Sequence, residues 1–195
     1  MTTNAIQEDI ENFVEQLNAE GLTAEIIDVA SKDNSSKWKT YYRPKISSGL
    51  GLLVVHPSNE CDHVCQSGKL EGEVQNYKLL RDDGFKVPEI FGPIKVYDPF
   101  AHIDAVALIV EHIDGSRPFK PFTELRSIKR WVTTNLKVDA QQRAEESWKS
   151  LQTAYRKRGV QDLQIIITYE GEMFVIDPEA TTTTPTDQLP LWNSI

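Results

Sequence analysis

Two aspartates flank a predicted β-hairpin near the end of the sequence, and their types and spacing could support chemistry. Residues 163–168 and 172–176 are apolar, β-rich runs joined by a turn that contains Gly171, a pattern that predicts a hairpin. Asp162 precedes the hairpin and Asp177 follows it, so strand pairing should bring both carboxylates to the same end. Two carboxylates there could bind a divalent cation, accept a proton, or do both. Aspartate is also a common turn residue at strand ends, so a purely structural role stays open.

The elements that must position these aspartates follow from the hydrophobic patterning. Upstream, the pattern predicts two helices and five strands, of which the first three strands form an antiparallel meander: helices at 5–19 and 70–82, and strands at 22–30, 38–46, 50–56, 93–97 and 105–111. The last of these strands is almost entirely apolar, which predicts a buried, central position. Residues 112–121 contain one glycine and two prolines and predict a linker. Helices are expected after it at 122–136 and, capped by Asp139, at 140–158.

This order predicts an α+β fold with two lobes. We expect a sheet-rich N-lobe over residues 1–114, a hinge over 115–121, a reduced helical C-lobe carrying the hairpin over 122–180, and an extended tail over 181–195. In so small a second lobe, Trp148 and Trp192 either pack against the core and the tail or leave an exposed face that could bind a partner.

The composition narrows the classes of function. The chain of 195 residues has a formal net charge of -8 and a pI near 5.0, which disfavours binding to a nucleic-acid backbone. No apolar run reaches membrane-spanning length and the N-terminal residues are polar and acidic, so we expect neither a membrane segment nor a secretory signal. A reduced, cytoplasmic protein is the simplest interpretation, and the sequence does not indicate its oligomeric state.

The two cysteines lie close to two histidines. Cys61 and Cys65 bracket His63, with His56 upstream, but this spacing matches no closed four-ligand zinc pattern. Reduced thiols are therefore the simpler interpretation.

Four segments of the sequence, taken in order, resemble the motifs of one known family. The resemblance lies in residues 73–80 with 87–90 (VPEI), 108–115 (LIVEHIDG), 159–163 (GVQDL) and 171–179 (GEMFVIDPE). They resemble the acid-bearing helix and next strand, the hinge, the catalytic loop and the metal-binding strand of the protein-kinase-like superfamily, especially its aminoglycoside phosphotransferase and fructosamine kinase branch. The resemblance implies a kinase-like two-lobed fold, with ATP and Mg²⁺ as cofactors.

The resemblance also implies a role for each site residue. Asp162 would accept the proton of the hydroxyl that attacks the γ-phosphate, and Asp177 would hold magnesium. Gln164, the nearest amide after Asp162, would be a further metal ligand. Glu73 would form an ion pair with a strand lysine that binds the α- and β-phosphates. The adenine edge would be bound by backbone groups of three successive residues: Glu111, His112 and Ile113.

The sequence departs from the family at positions that matter for ATP. The strand that should carry the lysine, residues 52–56, has none, so His56 or Lys45 would have to replace it, and a histidine is mostly neutral at pH 7. The glycine-rich loop would be residues 19–25, with a single glycine, and the family's His before Asp162 and Asn after it are missing. Few residues follow the hairpin, so we expect the helices that complete the family's second lobe to be missing.

Three functions are therefore open. The first is a minimal phosphotransferase or ATP- and Mg²⁺-binding domain. The second is a catalytically inactive, kinase-like module that binds a protein partner, such as a bacterial effector, toxin or regulatory domain, and the missing lysine, asparagine and glycines favour it. The third is an unrelated small α+β binding protein whose acidic pair is structural, which would be favoured if Asp162 and Asp177 pointed to separate surfaces.

Overall fold

The computed structural model describes residues 15, 29–30, 39–42, 49–55, 63–98, 103–178, 180–183, 185 and 188–192. The helices are α1 (His63–Asp82), α2 (Leu125–Asn135) and α3 (Val138–Tyr155). The strands are β1 (Val29–Ala30), β2 (Lys39–Tyr42), β3 (Leu50–Val55), β4 (Ile90–Asp98), β5 (Ile103–Glu111), β6 (Gly159–Gln161), β7 (Gln164–Ile167), β8 (Met173–Ile176) and β9 (Ala180–Thr182). The fold is α+β, as the sequence predicts. Glu15 is helical, and the rest of the predicted first helix lies outside the described residues.

The described residues form two compact units. One unit comprises the residues up to Gly72 together with Glu89–His112, and the other comprises Glu73–Pro88 together with the residues from Ile113 onwards. The lobe and hinge boundaries given above stay a prediction. None of the helices found in the described ranges combines the length and the apolar character needed to cross a bilayer.

The first unit is built on an antiparallel sheet with the strand order β1-β2-β3-β5-β4. The first three strands pair in sequence order through antiparallel ladders, so the predicted meander is confirmed. β5 lies between β3 and β4, and its residues 105–109 are all buried. The apolar strand therefore has the central position that its composition predicts.

Helix α1 begins earlier than the sequence predicts. It starts at His63 rather than at residue 70, in a stretch that lacks apolar periodicity and contains Gly68. A glycine inside a helix costs only about 1 kcal/mol relative to alanine, which is too little to stop a helix that the following turns stabilise. One face of α1 is buried, with Leu70, Tyr77 and Leu80 each at most 5% exposed, the spacing of an amphipathic helix.

The C-terminal end of α1 is a Schellman motif at Gly84. The N–H groups of Gly84 and Phe85 donate to the carbonyl oxygens of Arg81 and Leu80, which is the bond pattern of this motif. Gly84 has a φ of 93°, a conformation that a side chain disfavours. The predicted end of the helix at residue 82 is therefore confirmed, and the Schellman motif at Gly84 explains it.

The second unit combines α2, α3 and the hairpin. Helix α2 buries one face, formed by Leu125, Ile128 and Val132, and α3 starts at Val138 with Lys137 as its N-cap. The prediction that Asp139 caps this helix is wrong. Asp139 lies within the first turn, where its charge suits the helix dipole, and its carboxylate is 3.4 Å from the guanidinium of Arg143.

The predicted hairpin is confirmed. β7 and β8 pair antiparallel, with Gln164 opposite Ile176 and Ile167 opposite Met173. Ile165 and Ile167 are fully buried, which gives β7 one buried face and fixes its register.

The segment after the hairpin is paired with the chain before it. β9 pairs antiparallel with β6, with Thr181 opposite Val160. Part of the predicted tail therefore belongs to a two-stranded sheet. Sequence patterning could not show this, because the paired residues of the two strands lie 19 to 23 positions apart along the chain.

Residues 188–192 pack on α3. Leu189 is 6% exposed, the indole Nε1 of Trp148 donates to the carbonyl oxygen of Pro190 at 3.1 Å, and the rings of Trp148 and Trp192 have centroids 5.5 Å apart. Trp148 is fully buried. The alternative that Trp148 and Trp192 form an exposed, partner-binding face is therefore wrong, because the tail packs there instead.

Candidate functional site

Both candidate aspartates lie at the end of the hairpin opposite its turn. The β7–β8 ladder begins at Gln164 opposite Ile176, so Asp162 comes two residues before the ladder and Asp177 directly after it. The β6–β9 ladder ends at Gln161, directly before Asp162. The aspartates therefore occupy a short gap between two ladders, at the shared end that the hairpin pattern predicts.

The backbone of both aspartates is left-handed. Asp162 has a φ of 48° and Asp177 a φ of 47°, and no other non-glycine residue in the described ranges has a positive φ. Only a few per cent of non-glycine residues adopt this conformation, although aspartate tolerates it better than most. Sparsely populated backbone conformations persist where surrounding contacts hold them, and they cluster at functional sites.

Helix α1 holds the backbone at Asp177. The N–H of Asp177 donates to the hydroxyl oxygen of Tyr77 at 2.8 Å, and the next carbonyl, that of Pro178, accepts from the side-chain amide of Asn76 at 3.4 Å. Tyr77 is only 5% exposed, so its position is determined by packing. Two adjacent residues of one helix therefore fix two adjacent residues after the hairpin.

Asp162 forms an ion pair on the surface of the second unit. The Nζ of Lys120 lies 2.9 Å from Oδ1 and 3.2 Å from Oδ2 of Asp162, and the side-chain amide of Gln164 donates to Oδ2 at 3.3 Å. The side chains of Lys120 and Asp162 are 53% and 38% exposed. The pair is accessible to a ligand from solution, and no sequence pattern predicts it.

The predicted linker, which carries Lys120, is bonded to β7. Phe119 and Ile165 exchange two backbone hydrogen bonds of 2.8 and 2.9 Å. The N–H of Ser116 donates to the carbonyl of Ile167 at 2.9 Å, and the hydroxyl of Ser116 accepts from the N–H of Ile167 at 3.0 Å. The segment therefore lies beside β7 as a strand would, and it leads Lys120 to the start of the hairpin.

Gly115 allows this close approach. A β-carbon at this position would lie 2.1 Å from the carbonyl oxygen of Ile167, far inside van der Waals contact, so only glycine fits without a backbone shift. The glycine that helps predict a linker thus serves a close contact between two chain segments.

Glu124 closes the loop around Lys120. Its carboxylate accepts a hydrogen bond from the guanidinium of Arg117 and one of 2.7 Å from the backbone N–H of Lys120. These hydrogen bonds, first that of Arg117, lower the pKa of Glu124 from its ordinary value of 4.5. A carboxylate that accepts hydrogen bonds is stabilised in its charged form, so Glu124 stays ionised and holds the backbone of Lys120.

Glu73 is buried at 6% exposure and is the sole buried carboxylate among the described residues. It lies on α1 four residues before Tyr77, hence on the same face. Its ion pair with a lysine stays a prediction, because β3 contains no lysine, and both His56 and Lys45 lie outside the described residues.

The adenine-binding role of Glu111, His112 and Ile113 stays a prediction as well. The N–H of Glu111 donates to the carbonyl of Glu89 at 2.8 Å, and the N–H of His112 donates to the carbonyl of Gly49 at 2.9 Å. A donor role for these two amides would require those bonds to be exchanged. Ile113 follows them directly in the chain.

The predicted metal ligands, Asp177 and Gln164, carry oxygen donors, which magnesium prefers. In the described part of the chain, no three or more His, Cys, Asp or Glu side chains are grouped so that they could hold a metal; the side chains of the four His and Cys residues near position 60 lie outside that part. Magnesium keeps several waters and usually takes one or two carboxylates together with substrate phosphates. Asp177 stays a predicted ligand of this ion, and so does Gln164, whose side-chain amide donates to Asp162 at 3.3 Å.

Three residues of this site, Asn76, Tyr77 and Lys120, are not predicted from the sequence. Asn76 and Tyr77 follow Glu73 on the same helix, and their proximity to that acid is the one signal that could have indicated them. Lys120 has no local signal, since the pairing of its segment with β7 joins residues far apart in the chain.

Comparison with known proteins gives little further information. No protein-family model matches the chain, and no curated protein matches it. Among solved structures, it is similar to the crystal structure of WbdD, with 13% sequence identity and a TM-score of 0.40 over 77% of this chain. The match covers 32% of the WbdD chain, about a third of its length. A likeness at this identity and TM-score establishes no shared function.

Proposed function

We propose that this protein is a minimal kinase-like phosphotransferase that binds ATP and Mg²⁺. In this proposal Asp162 is the acceptor of the hydroxyl proton and Asp177 is the metal ligand. The phosphoryl acceptor in this proposal is an alcohol.

The observation that supports the proposal most strongly is the shared backbone conformation of the two aspartates. Asp162 and Asp177 are the two non-glycine residues with positive φ in the described ranges, and they flank one hairpin. Aspartate tolerates this conformation in ordinary turns, but here both aspartates that flank the hairpin adopt it. Tyr77 holds the backbone of Asp177, and Lys120 and Gln164 contact the carboxylate of Asp162, so each aspartate has contacts of its own, as expected of a functional site.

The arrangement suits phosphoryl transfer because this reaction depends mainly on positioning and on charge stabilisation. Asp162 can orient an acceptor hydroxyl and take its proton as the oxygen attacks phosphorus. Magnesium, when bound, would neutralise the phosphates. Asp177, whose backbone is anchored to Tyr77, supplies a carboxylate for that ion at a defined place.

The test is a thermal-shift titration with ATP, with and without Mg²⁺. We compare the wild type with Asp177→Asn, which keeps the size of the side chain and tolerates the left-handed backbone. At a nucleotide concentration 100 times Kd, binding should stabilise the wild type by about 2.7 kcal/mol, or about 5–10 °C in Tm for a chain of this size. The shift should require Mg²⁺ and should be lost in Asp177→Asn.

The matched control is Asp139→Asn. Its carboxylate is 71% exposed in the first turn of α3, so the variant should keep the full nucleotide shift. Asp162→Asn should also keep the shift but lose phosphoryl transfer, measured as ADP formation. A wild type that shows no shift at millimolar nucleotide, or an Asp177→Asn protein that shifts as the wild type does, would refute the proposal.

A second candidate is a protein-interaction module without catalysis. The lysine-free sequence of β3 favours it, because the expected phosphate-binding lysine is missing there. The same titration separates the two candidates, since a module of this kind gives no magnesium-dependent shift.

A further inference from the structure

Lys120 places a positive charge next to the candidate base. Its Nζ is within hydrogen-bond distance of both carboxylate oxygens of Asp162, while the strand expected to provide a cation, β3, has none. We infer that Lys120 binds the terminal phosphate of a nucleoside triphosphate, a contact separate from that of the missing strand lysine with the α- and β-phosphates. This inference rests on the proposed function and adds a residue that the sequence resemblance does not supply.

The distances suit this role. A hydroxyl bound to Asp162 would lie about 2.7 Å from its carboxylate and about 3–3.5 Å from the phosphorus that it attacks. The ammonium of Lys120, 2.9 Å from the same carboxylate, can reach the phosphate oxygens by rotation of its side chain. One lysine can therefore contact the base and the transferring group.

The exposure of the pair allows a phosphate to compete for Lys120. The Lys120 and Asp162 side chains are 53% and 38% exposed, and exposed ion pairs contribute little to stability. A terminal phosphate carries more charge than a single carboxylate and accepts strong charge-assisted hydrogen bonds. The ammonium can therefore turn toward the nucleotide at small cost while Asp162 turns to the acceptor hydroxyl.

The backbone of Lys120 is fixed although its side chain is not buried. Phe119 is paired with Ile165 on β7, and Glu124 accepts the N–H of Lys120 at 2.7 Å. These bonds hold the Cα of Lys120 beside the hairpin and leave the long side chain to sample nearby positions. This combination is what a phosphate-binding lysine requires.

In the transfer step Lys120 keeps its proton throughout. The bond between the acceptor oxygen and phosphorus forms as the bond between phosphorus and the leaving diphosphate oxygen breaks, and the acceptor proton passes to Asp162. Lys120 stabilises the charge on the transferring oxygens. Lys120 therefore distinguishes a nucleoside triphosphate, which has the γ-phosphate, from a nucleoside diphosphate, which lacks it.

The experiment is calorimetric titration of the full chain with two probes, the imido analogue of ATP and ADP, each with Mg²⁺. The variants are Lys120→Met, Lys120→Arg and, as a matched control, Lys137→Met, which removes an exposed lysine at the start of α3. Lys120→Met should weaken binding of the ATP analogue about 10- to 100-fold, the range for a lost charge-assisted hydrogen bond. Its ADP binding should change by less than about 3-fold, because ADP lacks the phosphate in question.

Lys120→Arg should restore part of the preference for the triphosphate, and Lys137→Met should bind both nucleotides as the wild type does. Equal weakening of both nucleotides in Lys120→Met, or no weakening of either, would overturn the inference while leaving the proposed function in place. Failure of the wild type to bind either nucleotide would overturn both.

Discussion

Replacing Tyr77 with phenylalanine should destabilise the second unit by removing one atom. The hydroxyl of Tyr77 accepts the backbone N–H of Asp177 at 2.8 Å, and the ring that carries it is 5% exposed. Phenylalanine keeps the ring and its packing. The variant therefore isolates the hydrogen bond that joins α1 to the segment after the hairpin.

The size of the effect follows from the group left behind. The N–H of Asp177 would remain in a partly buried position without this acceptor, and an unsatisfied donor of that kind costs about 1–3 kcal/mol. For a chain of this length, such a loss lowers Tm by about 2–12 °C. If Asp177 holds Mg²⁺ as proposed, Tyr77→Phe should also weaken the magnesium-dependent nucleotide shift, because the carboxylate is less firmly positioned.

Urea unfolding followed by tryptophan fluorescence measures this loss. Three of the four tryptophans, Trp131, Trp148 and Trp192, belong to the second unit, so the signal reports mainly on the region that is changed. The control is Tyr169→Phe, because Tyr169 is 58% exposed and the substitution should stay within about 0.5 kcal/mol of the wild type. A Tyr77→Phe protein as stable as that control would show that the hydrogen bond to Asp177 does not hold the segment.

Three further predictions concern the supports of the site. Glu124→Gln should make stability less sensitive to acid. Because hydrogen bonding lowers the pKa of Glu124 from 4.5, the contribution of its carboxylate to stability is complete above pH 4.5 and is lost as the pH falls through the lowered pKa. In urea melts run from neutral to acid pH, only the wild type should lose this contribution to the free energy of unfolding. Gly115→Ala should destabilise the protein by more than about 1 kcal/mol, because the added β-carbon would overlap a backbone oxygen. In the control Gly72→Ala, the β-carbon meets no atom within 4 Å, and the substitution should stabilise α1 by about 0.5–1 kcal/mol. Equal melting temperatures for the two variants would contradict the close approach at Gly115. Leu189→Ala should lower the free energy of unfolding by about 2–5 kcal/mol, because this leucine is buried. Leu191 is 63% exposed, so Leu191→Ala should cost less than about 0.5 kcal/mol. Similar urea midpoints for the two variants would show that the tail does not pack on α3.

Local patterning predicts the hairpin well because its signals are short-range. The two apolar, β-rich runs, the turn at Gly171 and the flanking aspartates all lie within sixteen consecutive residues, 162–177, and strand register follows from which face is buried. The end of α1 is equally local, since Gly84 alone supplies the conformation that stops the helix. In these places, neighbouring residues determine the structure.

Contacts between distant segments explain what the sequence does not predict. The residues around Gly115 and Lys120 are predicted to form a linker because glycine and proline break regular structure. In the structure, backbone hydrogen bonds join this segment to β7. The α1 start at His63 and the cap at Lys137 are boundaries, where competing conformations differ by about 1 kcal/mol. The ion pair of Lys120 and Asp162 joins residues 42 positions apart, so no periodicity could indicate it.

The left-handed backbone at Asp162 and Asp177 has a consequence for the sequences that this fold accepts. In a library randomised at these two positions and sorted only for soluble expression, glycine, asparagine and aspartate should dominate, and valine, isoleucine and threonine should vanish, because β-branched side chains oppose a positive φ. The same library sorted for nucleotide turnover should keep aspartate alone. The difference between the two enriched sets would separate what the backbone demands from what the chemistry demands, position by position.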